Sequence, residues 1–221
     1  MRADRIHPLI WPRHLVLVVG LASIVGLGCM SISLAPPADE RAARQFAPSA
    51  EKGDRIAQYQ LALSYRYGSS GLPLDLNKAA QWMRKSAEAG NVDAQFALGD
   101  MLARGGNGTP PAPDEALLWF RRAAESHLGN RLWLAEQLDK GGAPLGLNDR
   151  AAARELYLAA AGQSRLARHR LGQMAERGGN PGEALKWYVV AGSDDDAARL
   201  EKGMKRTDSE RARQEAARWK P

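Results

Sequence analysis

The residues of this chain whose types could do chemistry are few: two histidines in its body, a run of three aspartates, one glycine-rich turn and a single cysteine. A histidine works as a general base or metal ligand only with a partner at workable spacing. His127 and His169 belong to no paired motif such as H-E-x-x-H, and His7 and His14 lie near the start of the chain. Asp194, Asp195 and Asp196 could gather a cation. No further ligand cluster accompanies them, and three acids in a row suit the first turn of a helix. The GGNG stretch at Gly105–Gly108 lacks the Lys-Ser/Thr and the preceding strand of a phosphate loop, and G-x-S-x-G does not occur. These residues predict no catalytic site, no metal site, no cofactor and no small-molecule substrate.

Cys29 is the only cysteine, which excludes a disulfide framework and a cysteine-based zinc site. Its position is more informative. Arg2, Arg5 and Arg13 precede an uncharged apolar run, LVLVVGLASIVGLG at residues 15–28, which ends at this cysteine. A charged start followed by an apolar run has the pattern of an export signal. Three readings fit residues 1–35: a lipoprotein signal with Cys29 lipidated, an uncleaved anchor, or a cleaved signal. Extended to Ala35 the run nears the roughly 20 residues that span a bilayer. Gly26 stands where a lipoprotein signal usually has Leu, and Pro36 disfavours cleavage after Ala35. All three readings carry the body across a membrane, with the arginines favouring an N-in orientation.

Formal charge is +6, from 31 basic and 25 acidic residues, and it sits at the ends. Residues 199–221 hold eight Lys/Arg against four Asp/Glu, whereas 30–198 hold 20 of each. A nucleic-acid binder should carry a basic stripe on its folded body, so no nucleic-acid partner is expected. Hydrophobic residues make up 44% but aromatics only 6%, so the apolar content is largely Ala and Leu, both strong helix formers.

The elements that position these residues repeat. Leu61, Gly68, Ala79, Trp82 and Ala87 recur 37 residues later as Leu98, Gly105, Ala116, Trp119 and Ala124. Leu134, Gly141, Leu156 and Ala161 take the same places in a third unit, and Leu171, Gly178, Ala184, Trp187 and Gly192 in a fourth. Gln45, Ala50 and Gly53 look like a preceding half-unit, in which Pro48 should interrupt the helix. Each unit reads as two helices. The first ends at a glycine, and Asp75, Asp114, Asn148 and Asn180 are placed to start the second. Ala79, Trp82, Met83 and Ser86 share one face of a second helix; small residues allow close approach while Trp or Tyr fills the gap between units. One hairpin cannot bury that face alone, so the units must stack. At the far end, Thr207-Asp208-Ser209-Glu210 reads as a capping box for a last helix.

Unit one, through Ala57, Leu61, Tyr65, Gly68, Asp75, Lys78, Ala79, Trp82, Ala87 and Gly90, resembles the Sel-one-like repeat family, relatives of the tetratricopeptide repeat. Departures are Ala62 for the usual Gly, Met83 for Tyr, and Leu156 for Trp in the third unit. The resemblance covers residues 42 to about 204 and implies an all-α, right-handed α-solenoid of helix–turn–helix repeats. The chain then divides into a signal or anchor at 1–35, a linker and partial repeat at 36–53, four repeats at 54–193, and C-terminal capping helices at 194–221.

In related arrays the first helices line a concave groove whose outward residues contact the ligand. Carried over by spacing, those positions are Arg66, Tyr67, Asp100, Arg104, Glu136, Asp139, Lys140, Gln173 and Arg177. Asp100–Arg104 and Glu136–Lys140 also have the i,i+4 spacing of simple helix-stabilising pairs, worth about 0.2–0.5 kcal/mol each. The resemblance implies a non-catalytic scaffold or adaptor for protein partners at a bacterial cell envelope, held at the membrane by its N-terminal segment and facing the periplasm. The alternative is a constitutive structural subunit of an envelope assembly or secretion machine.

Overall fold

The computed structural model describes residues 38–69, 72–105, 110–142 and 144–221; of 38–43 it describes the backbone alone. The export segment with Cys29 and most of the GGNG turn lie outside the described residues. Among the described residues there are eleven α-helices and no strand. None of these helices is long and apolar enough to cross a membrane.

Four helical hairpins follow one another: α2 (Arg55–Tyr67) with α3 (Leu76–Glu88), α4 (Val92–Arg104) with α5 (Pro113–Ser126), α6 (Leu128–Lys140) with α7 (Arg150–Ala160), and α8 (Arg165–Arg177) with α9 (Pro181–Ala191). Before them α1 (Ala38–Glu51) packs against α2, and after them α10 (Asp194–Glu201) and α11 (Arg206–Arg218) both pack against α9. From α1 to α10 each helix packs against the next in chain order, the arrangement of an α-solenoid, as the repeat pattern predicts.

Local signals explain most boundaries. Gly68 and Gly141 end α2 and α6 with φ of 61° and 69°, in the left-handed region that glycine enters at no steric cost. Asp75 caps α3 by accepting from the Lys78 amide, and Asn180 caps α9 by accepting from the Glu183 amide. Asp194 to Asp196 form the first turn of α10.

Four boundaries differ from the spacing-based expectation. α5 starts from Ala112, not Asp114, because Pro113 occupies the first helical position, where its fixed φ suits the helix and its missing N–H costs nothing. α7 is capped by Asp149, not Asn148; the Asp149 carboxylate accepts from the Ala152 amide while Asn148 packs against Gly141. α11 starts at Arg206, so Thr207 lies inside it and no capping box forms. There Glu210 pairs with Arg206 at 2.7 Å, and the Ser209 hydroxyl donates to the Arg206 carbonyl. Finally, α1 runs through Pro48. A proline inside a helix costs about 3 kcal/mol, and here Phe46, Ala47 and Ala50 pack onto Ala57 and Leu61 of α2 across it.

The core runs within each hairpin and on into the next. Trp119 packs with Ala62 and Met83 of the unit before it and with Leu98 of its own, whereas the next residue, Phe120, packs with Leu134, Leu138 and Ala153 of the unit after. Trp187 and Tyr188 divide in the same way: Trp187 joins Tyr157 and Leu171, while Tyr188 joins Ala197 and Ala212. Adjacent residues on an α-helix point about 100° apart, so such a pair faces two neighbours at once. Leu156 keeps the backward-facing place in the third unit, with Tyr157 facing forward.

Glycines face two of the forward rings as a matter of room, while Ala135 faces Tyr157. A Cβ at Gly99 would lie 2.9 Å from the Phe120 ring, and one at Gly172 would lie 2.7 Å from Tyr188. In unit one the two departures are two sides of one cluster, since Ala62 faces the slimmer Met83.

Arginines at the starts of first helices brace the ends of second helices. Arg165 donates to the carbonyls of Ala191 and Gly192, each at 2.8 Å. Arg131 donates to Ala124 and Glu125 at the end of α5 and to Ala159 near the end of α7. These carbonyls have no partner within their own helix, and the cation also suits the negative end of the dipole.

Candidate interaction surface

The first helices α2, α4, α6, α8 and α10 are linked by side chains that reach from one repeat to the next. Arg66 of α2 donates to Asp100 of α4 at 3.2 Å, and Arg104 donates to the other oxygen of the same carboxylate at 2.6 Å. On α6, Glu136 accepts from Lys140 at 2.6 Å and from Arg170 of α8 at 3.0 Å. Arg177 of α8 donates to Asp139 of α6 at 2.6 Å, and Arg199 of α10 donates to Glu176 of α8 at 2.6 Å. Between α4 and α6 the link is aromatic: Phe96 and Trp133 meet edge to face at 4.8 Å.

The nine positions singled out by spacing thus fall on one ladder, in different states. Asp100–Arg104 and Glu136–Lys140 form the i,i+4 pairs their spacing predicts, and each acid also holds a cation from another repeat. Tyr67 is 65% exposed at the end of α2, with the Arg66 guanidinium 5.6 Å from its ring centre. Gln173 accepts from Arg170 and meets Nε2 of His169 at 3.0 Å. Asp139 is buried, at 6% exposure, so its carboxylate positions Arg177 and does not itself face outward.

Spacing from the leucine landmark misses Arg170, Glu176 and Arg199. For Arg170 the signal is a different one, opposite charges about one repeat apart, as in Arg66–Asp100 and Glu136–Arg170, both 34 residues, and Asp139–Arg177, 38 residues; Glu176 and Arg199, 23 residues apart, lie outside that spacing. His169 is held by Ser193 Oγ at 3.0 Å from Nδ1 and lies 3.7 Å from an Asp196 oxygen. Its other ring nitrogen, Nε2, meets Gln173, so both nitrogens are engaged within this polar network. Among the described residues no group of His, Cys, Asp or Glu is arranged to hold a metal ion.

The charges tune one another. The Lys140 hydrogen bond holds the Glu136 carboxyl below its ordinary value of 4.5, against the opposing effect of burial. Arg199 does the same for Glu176, and Arg213 for Glu201. Burial pushes the Tyr157 hydroxyl up to about 12. A carboxyl with a depressed folded value binds fewer protons folded than unfolded, so its stabilisation is complete above the unfolded value of 4.5 and is lost as pH falls through the folded one. Urea midpoints are therefore expected to be flat around neutral pH and to fall progressively below about pH 4.5. A Glu136→Gln, Glu176→Gln, Glu201→Gln triple variant should lose much of that slope.

Stacked helical hairpins with a cross-repeat polar ladder define a helical-repeat protein of the interaction class. Three stretches, 55–91, 92–127 and 160–196, match the Sel1 repeat, so the chain carries Sel1 repeats. The α6–α7 hairpin lies mostly between the second and third matches, where Leu156 replaces the usual Trp, yet it has the same two-helix geometry. Among solved structures, a Sel1 repeat protein from Oxalobacter formigenes is 24% identical, with a TM-score of 0.53 over 81% of this chain and 79% of that one. A protective antigen of uropathogenic Escherichia coli, c5321, which displays an SLR fold, is 27% identical, with a TM-score of 0.52 over 81% of this chain. The match spans only 41% of that antigen's chain. No curated protein matches the sequence. Sel1 repeat proteins generally serve as protein-interaction scaffolds, and an all-α Sel1 solenoid is the fold of this chain.

Proposed function

We propose that this protein is a non-catalytic adaptor, exported and held at the bacterial cell envelope by its N-terminal segment, that grips a protein partner along the first-helix face. The observation that carries the reading is the ladder: Arg66, Asp100 and Arg104 on α2 and α4, and Glu136, Lys140, Gln173 and Arg177 on α6 and α8, form two polar clusters joined by the Phe96–Trp133 contact across four successive repeats. Helical-repeat arrays bind through extended surfaces of this kind. Arg2, Arg5 and Arg13 before the apolar run at 15–28 support export, and Cys29 at its end supports a lipid anchor. The alternative, a permanent structural subunit, calls for a large exposed apolar face. Ile56, Leu118, Leu158 and Leu166 are exposed on four different helices, the scattered pattern ordinary for a surface.

The test is crosslinking in cells with the tagged full chain, beside an Arg104→Glu, Lys140→Glu variant. An envelope protein captured by the native chain and lost with the variant is the expected result. The same proteins captured by both would move the structural-subunit reading ahead. Globomycin treatment and metabolic labelling with a fatty acid test Cys29 separately: lipid incorporation lost on Cys29→Ser is expected, and none at all would leave an uncleaved anchor or a cleaved signal, which the size of the mature chain separates.

A further inference from the structure

We propose that the partner segment taken at the α2–α4 end of this face is acidic and carries one apolar anchor residue; this rests on the adaptor reading above and narrows it. Two features meet at one place. The first is a surplus of positive charge. Arg66 and Arg104 share the single carboxylate of Asp100, one guanidinium on each oxygen, so the trio carries a net positive charge. Asp100 occupies one of the five donors of Arg104, whose side chain is 67% exposed. In the sequence, residues 70–71 and 106–109 include no acid. The pattern recurs one repeat on, where Lys140 and Arg170 share Glu136. Arg84, by contrast, is matched by Glu115 at 2.7 Å.

The second feature is a cavity of 180 Å³ between α3 and α4, with Leu76, Met101 and Leu102 in its wall and Arg66, Arg84 and Arg104 at its rim. Pockets for cofactors or drug-sized ligands run to roughly 300–1,000 Å³, so this one is small for a free metabolite. It has room for about six water molecules, or one large apolar side chain. An apolar wall beneath unbalanced guanidinium groups suits a leucine-like or aromatic side chain flanked by aspartate or glutamate. The anchor would be desolvated in the cavity while its neighbouring carboxylates take the outer donors of Arg104 and Arg66 in charge-assisted bonds. A basic partner would meet like charge, and a purely polar one would leave the cavity unfilled.

The experiment is selection of a random peptide display library on the immobilised full chain, followed by fluorescence anisotropy with the enriched peptides. Acidic residues flanking one large apolar residue should be enriched. Replacing that apolar residue by alanine, or Arg104 by glutamine in the protein, should each weaken binding about tenfold, the scale of one buried side chain or one charge-assisted bond. Binding to the unaltered protein should also weaken with added salt, a readout free of any folding defect. Enrichment of basic or unbiased peptides, no enrichment, or affinity indifferent to salt would overturn the proposal. A photo-crosslinker at Gln173 in cells separates the two readings: a partner captured there despite a failed selection leaves the adaptor standing without this specificity. Capture at neither Gln173 nor Met101 removes the adaptor reading itself.

Discussion

Replacing Phe120 by alanine is expected to destabilise the array by about 3–5 kcal/mol, the scale of losing a fully buried aromatic ring. Phe120 is 1% exposed, lies against Leu134, Leu138 and Ala153 of the next repeat, and meets the rings of Phe96 at 5.1 Å and Trp133 at 4.6 Å. Its place cannot collapse easily, because the helix opposite approaches closely only where Gly99 has no side chain. The variant loses a buried ring, two aromatic contacts and the joint between the second and third hairpins. Stacked repeats are held by nearest-neighbour interfaces, so the damage should be local. Hydrogen exchange should rise first across α4 to α7, while α8 and α9 keep much of their protection. A uniform rise along the chain would show that the array opens as one unit and that the interface at Phe120 is no weaker link than the others.

Replacing Arg177 by leucine is expected to cost about 2–4 kcal/mol, although the residue is a half-exposed arginine. The cost arises at its partner. Asp139 is buried; its Oδ2 accepts from Arg177 at 2.6 Å, and its Oδ1 is buried with no hydrogen-bond partner in the structure. Removing the cation strands a carboxylate beside Tyr157. Adding Asp139→Asn to the leucine variant should recover much of the loss, since an amide is cheaper to bury than an unpaired charge. The pair can be measured by a double-mutant cycle from urea midpoints; a coupling near zero would mean that water already solvates Asp139 and that the link between α6 and α8 is dispensable.

These two expectations rest on different kinds of information. The period of 37, the two-helix unit and many of its punctuation marks are legible along the chain, because they follow from short-range physics. A side chain such as Asp75 or Asn180 satisfies an amide three residues away, and Gly68 turns the chain where it stands. Even so, local signals can compete: Pro113 starts α5 ahead of Asp114, and Asp149 caps α7 in place of Asn148. Pro48 marks the limit of such signals, since its local cost is outweighed by the packing of α1 on α2.

The candidate surface divides in the same way. The i,i+4 pairs Asp100–Arg104 and Glu136–Lys140 follow from one helix alone. The burial of Asp139, the recruitment of Arg170, Glu176 and Arg199, and the sharing of one acid by two cations depend on how far and at what angle each hairpin stacks on the last. So does the division of labour between Trp119 and Phe120, neighbours in sequence that serve opposite interfaces. Sequence alone determined that this protein is a stack of helical hairpins, because helix periodicity, caps and the repeat period are written within a few residues of where they act. Which charges meet, which are left over, and which ring closes each joint were decided by the tertiary structure, because those contacts join residues of different hairpins that only stacking brings within reach.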